Sequence, residues 1–111
     1  MAQIKDLKSE LRETGYRGAV RVNSRVKIAV EWHEAGQAQR AEGYTRDISA
    51  KGCLAVVPKG FSVGDRLRLV NLANQNSCDA LLVWRGHESH AGWELGLELQ
   101  EAVHDFWGME F

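Results

Sequence analysis

Seven residues, "RDISAKG" from Arg46 to Gly52, gather an acid, a hydroxyl, a base and a glycine between two stretches that read as strands. Asp47 is an acceptor suited to paired N–H donors, such as those on guanine's Watson–Crick edge, and Ser49 both donates and accepts. Standing two apart on an extended segment, the two side chains share one face while Ile48 points into the core. Gly52 then allows the chain to turn at positive φ before "CLAVV". Two readings follow from these residues. One is an Asx-type turn in which Ser49 bonds local backbone. The other is half of a binding site, its acid, hydroxyl and turn presented on an outer face at the start of a strand.

The other half would come from arginines. Arg17, Arg21 and Arg25 lie at steps of four in "YRGAVRVNSRV". A helix would stack all three on one face, but Gly15, Gly18, Val20 and Val22 make a helix here a poor choice. A flexible segment leading into the first strand is expected instead. Guanidinium forks match phosphate oxygens in bidentate fashion and also match the O6/N7 edge of guanine. A solvated basic arm is the plainer alternative.

Charge placement agrees with a local anion site. Net charge is −1, yet Arg12 to Lys27 holds five bases and one acid, while Gly52 to Phe111 holds four bases and eight acids. A basic front on an acidic body suits a small anionic ligand better than a nucleic-acid groove, which would be basic across its contact face and need exposed aromatic platforms. Trp32, Trp84 and Trp93 instead alternate with polar residues as core residues do.

Enzyme signatures are absent. "WHEAG" lacks the second histidine of the zinc-protease motif, and His87 and His90 alone make a poor metal site. Cys53 and Cys78 stand apart with no CxxC, and read as small buried hydrophobes in a reducing cytoplasm, a disulfide being the minor alternative. No apolar run has signal-peptide or membrane-spanning length.

The elements that must position these residues are strands. Ile4, Leu7 and Leu11 mark one face of a short helix or arm over 1–15, ended by Gly15. From Val26 the period becomes two: Val26, Ile28, Val30 and Trp32 face one way, and "HEAGQAQ" connects to a return strand, "RAEGYTRD". "CLAVV" is apolar on both faces and should be covered on both. "DRLRLVNL", "CDALLVWRG" and "WELGLELQ" follow, the last with Trp93, Leu95, Leu97 and Leu99 inward. Six short antiparallel strands predict an all-β domain over 16–105, closed into a small barrel that removes its edges. Phe106 and Trp107, in the aromatic tail 106–111, are suited to plug one end as a short helix or tail.

An RxxxR element ahead of the first strand, with DxSxxG after the first hairpin, resembles the PilZ domain family, bacterial receptors for cyclic di-GMP. Asp47, Ser49 and Gly52 match the second motif in full. The first is satisfied by Arg17 with Arg21, the preferred pair because it leaves "VNSRVKIAVEW" as lead-in and strand, or by Arg21 with Arg25. The resemblance implies a six-stranded barrel that holds the dinucleotide on its outside. The arginines would grip phosphate and guanine, Asp47 and Ser49 would contact a guanine base, and the arginine loop would fold over the ligand. It implies a cytoplasmic ligand-binding module with no cofactor, no metal, no nucleic-acid partner and no membrane insertion, its output passing through a partner protein or a homodimer. A PilZ-fold adaptor that binds protein and not nucleotide is the alternative.

Overall fold

The computed structural model describes residues 21–101, 103 and 105–108; the expected arm over 1–15 and Arg17 lie outside them. Among the described residues seven strands follow in order: β1 (Arg21–Asn23), β2 (Lys27–Glu34), β3 (Gln37–Ser49), β4 (Gly52–Val57), β5 (Arg66–Asn71), β6 (Ser77–Ser89) and β7 (Gly92–Leu99). All pairings are antiparallel. The order β3-β2-β5-β6-β7-β4 closes when β4 pairs with β3, giving the six-stranded barrel expected. The three-residue β1 is an addition to that expectation. It continues β2's side of β3, so that Asp47–Ser49 has β1 on one edge and β4 on the other.

The period-two patterns face as the sequence predicts where register is unbroken. Ile28 and Val30 of β2 and Leu95 and Leu97 of β7 are fully buried in the core, with Val26, Trp32, Trp93 and Leu99 packed against it. Every residue of β4 is buried. Cys53, Ala55 and Val57 face the barrel interior, while Leu54 packs on the other face against Val83 and Trp84. Trp84 therefore departs from the core reading. A register shift between Leu82 and Trp84 against β7 puts an extra residue into β6, and a bulge of this kind reverses the facing of everything beyond it.

Turns are shorter than the polar stretches that contain them. "HEAGQAQ" reduces to Ala35 and Gly36, at φ 53° and 79°, the two positive values of a type I′ hairpin whose twist suits the flanking strands. The strands take up the rest, pairing Glu34 with Gln37. Within β3, Gly43 crosses so close to β4 that a methyl group there would collide with the Val56 carbonyl and approach Val57 Cγ1 at 2.9 Å.

Phe106 and Trp107 close one end of the barrel, both in the core and packed edge to face at 4.8 Å between ring centroids. Their segment is a turn with Asp105 at φ 58° and Gly108 at φ 76°, not a helix. It is fastened by side-chain amides. Asn71 Nδ2 and Asn74 Nδ2 donate to the Phe106 carbonyl at 2.9 and 3.3 Å, and Asn76 Nδ2 donates to that of Asp105 at 3.0 Å. No helix among the described residues is long and apolar enough to cross a membrane.

Candidate functional site

Most of "RDISAKG" is strand. Arg46 to Ser49 completes β3, only Ala50 and Lys51 form the turn, and Gly52 opens β4 opposite Ser49. Among the described glycines positive φ occurs at Gly36, Gly64, Gly92 and Gly108 but not at Gly52. The expected left-handed glycine is thus corrected to an extended one, buried at a strand start. The two-residue connection needs no positive φ there, because Ala50 and Lys51 make the turn.

β3 bulges just before the motif. Thr45 pairs with Ala55 and Asp47 with Leu54, which leaves Arg46 without a partner in β4. Arg46 points out to an ion pair with Glu94 of β7 at 2.9 Å. Ile48 enters the core as expected. Asp47 and Ser49, expected on an open outer face, are instead 6% and 0% exposed. A strand edge covered by β1 and a buried C-terminal turn leave this end of β3 little solvent. Ser49 Oγ accepts from the Lys51 N–H at 3.2 Å, the local bond of the turn reading, and the Ser49 carbonyl accepts from Trp107 Nε1 at 2.8 Å.

β1 carries Arg21 to this acid. Its register sets Arg21 opposite Ser49 and Asn23 opposite Asp47, which makes Arg21 and Asp47 diagonal cross-strand neighbours within reach of long side chains. Arg21 Nη2 donates to Asp47 Oδ2 in an ion pair whose side chains are only 17% and 8% exposed. Between β1 and β2, Ser24, Arg25 and Val26 face only Thr45 and Arg46. The buried Thr45 hydroxyl bridges that break, accepting from the Val26 N–H at 2.9 Å and donating to the Ser24 carbonyl at 2.5 Å. The extra residue throws Arg25 outward, where its guanidinium lies over the Tyr44 ring at 3.8 Å.

An open polar cleft runs along this break, lined by Arg25, Tyr44, Arg46 and Asp47 among others. The fold thus brings Arg21, Asp47, Ser49 and Gly52 to one end of β3, with Arg25 on the same cleft and Arg17 outside the described residues. Tyr44, Thr45 and Trp107 join them without having been singled out in the sequence. A threonine just before "RDIS" carries no spacing signal, because its role depends on a bulge in a strand that the motif itself does not contain. Next to Gly52, burial pushes the Cys53 thiol far above its usual range, so it is held neutral. Both cysteines are free and buried.

Comparison with known families settles the lineage of this barrel: a sequence model of the PilZ domain matches residues 16–105, a span holding both motifs. The chain belongs to the PilZ domain family. This is a receptor family for cyclic di-GMP. Among solved structures, this PilZ domain is similar to the structure of Bacillus subtilis inhibitor of motility (MotI/DgrA), with a TM-score of 0.65 and 20% identity, over 83% of this chain and 46% of that one. At that identity the likeness establishes the fold, and this chain spans less than half the length of that neighbour. No curated protein matches the sequence of this PilZ domain.

Proposed function

We propose that this PilZ domain is a non-enzymatic binding module for cyclic di-GMP, working through Arg17, Arg21, Asp47, Ser49 and Gly52, with Arg25 on the same cleft. One observation carries the reading: the arginine common to both RxxxR pairings and the acid of DxSxxG, 26 residues apart, meet in one ion pair. That pair is complementary to a nucleotide twice over. A ligand phosphate takes the place of the carboxylate on the Arg21 fork, while guanine N–H donors take the place of the guanidinium on Asp47. The exchange keeps both charges compensated, so neither is left bare in a nearly buried site, where an unpaired charge would be costly. The occupied module then acts on a partner protein or on a second copy of itself, in the cytoplasm where the messenger is found.

Titration calorimetry with cyclic di-GMP, GTP and single-stranded DNA in parallel tests this. Saturable heat with cyclic di-GMP alone is expected; no heat with it would overturn the reading. The burial of Asp47 and Ser49 and their bonds within the protein favour one second reading, a PilZ-fold adaptor that uses the motif to hold its own hairpin. For that reading the expected calorimetric result is silence with all three ligands.

A further inference from the structure

Trp107 reaches across 58 residues of sequence to the ligand motif, and it does so with the only polar atom of its side chain. Its indole is 8% exposed, and a buried indole N–H left without an acceptor is expensive. The acceptor it finds is the carbonyl of Ser49, the last residue of β3. The turn that carries Trp107 is itself clamped, with Asn71 and Asn74 on the Phe106 carbonyl and Asn76 on that of Asp105. Asn71 is itself fully buried and fixed by the Ala73 N–H on its Oδ1 at 2.9 Å. A continuous chain of directed bonds thus runs from the β5–β6 connection through Phe106 and Trp107 to the backbone between Asp47 and Gly52.

We infer that Trp107 is a positioning residue for the ligand motif. Its N–H fixes the Ser49 carbonyl and thereby the direction in which Asp47 and Ser49 are offered to the nucleotide. The inference rests on the cyclic di-GMP reading above. Since a coupling between two places is reciprocal for binding, occupancy of the motif also tightens the Asp105–Gly108 turn, and that turn becomes the part of the barrel that reports the ligand.

The test uses the full chain labelled with ¹⁵N, cyclic di-GMP as probe, and Trp107→Phe, which keeps an aromatic ring but removes the N–H. Of the four tryptophan indole signals, the one missing from Trp107→Phe is that of Trp107. In the wild type it shifts on titration and saturates with the calorimetric affinity, while that of Trp32, bonded to Glu34, stays in place. Trp107→Phe binds about fivefold more weakly, within the usual range of such couplings. Asn76→Ala, which loosens only the exposed side of the clamp, weakens binding about twofold and serves if Trp107→Phe does not fold. A Trp107 signal indifferent to ligand, with affinity unchanged in the folded variants, overturns the inference while wild-type binding stands. Absence of wild-type binding removes the cyclic di-GMP reading itself, and the inference with it.

Discussion

Arg21 and Asp47 are diagonal neighbours across the β1–β3 ladder: Arg21 stands opposite Ser49, Asp47 opposite Asn23, and their side chains join in a mostly buried ion pair. The pair gives the ligand motif a structural duty as well as a proposed binding one, and the two duties have different signatures.

Removing either partner should cost stability of about 2 kcal/mol, the scale of a hydrogen bond to a charged group. Chemical denaturation of Arg21→Ala, Asp47→Ala and the double variant measures it, and the two losses should fall short of adding. Beyond that, Arg21→Ala should weaken cyclic di-GMP binding by at least about 2 kcal/mol. Asp47→Ala should also relax discrimination against analogues lacking the guanine N1–H and amino donors, because guanine then makes no bond at this position that such an analogue forfeits. A melting shift with calorimetric affinity intact would assign Asp47 to the hairpin alone.

Arg25 and Arg17 separate the two RxxxR pairings. The Arg25 guanidinium is already engaged on the Tyr44 ring at an exposed bulge, an interaction of about 1 kcal/mol. Its replacement by alanine is expected to reduce affinity less than Arg17→Ala does. The reverse order in calorimetry would make Arg25 the partner of Arg21.

Gly43→Ala tests the close crossing of β3 over β4. The added methyl meets the Val56 carbonyl, which is backbone and cannot swing aside. Overpacking of this kind costs about 3 kcal/mol, to be read as a lowered denaturation midpoint with unchanged slope.

Cys53 makes a pH-dependent contribution. Burial raises its folded-state pKa above the ordinary value of 9.0, so the folded protein keeps a proton that the unfolded chain gives up. Its stabilising contribution is complete below pH 9 and declines above that, by up to about 1.4 kcal/mol per pH unit. Denaturation midpoints of wild type and Cys53→Ala should therefore converge as pH rises through this range. Parallel curves would show that the thiol titrates normally.

Much of the barrel was legible because period-two patterns survive in single strands. Ile28 and Val30, or Leu95 and Leu97, declare a buried face without reference to any neighbour, and the doubly apolar "CLAVV" declares a strand covered on both sides. The candidate site was legible as residue types: three arginines at steps of four, and an acid, hydroxyl and glycine at DxSxxG spacing.

What those residues touch was decided by register, which is a property of two strands at once. The insertion in β6 turned Trp84 to the outside, and that at Arg46 set Asp47 and Ser49 where β1 covers them, though neither shift is written in the alternation of its own strand. The pairing of Arg21 with Asp47, the bridging of β1 and β2 by Thr45, and the hold of Trp107 on Ser49 join residues 26, 19 and 58 positions apart. A local pattern says which way a side chain faces only until the next bulge. Closing the barrel fixes where the bulges fall, and so decides which of the chemically able residues meet.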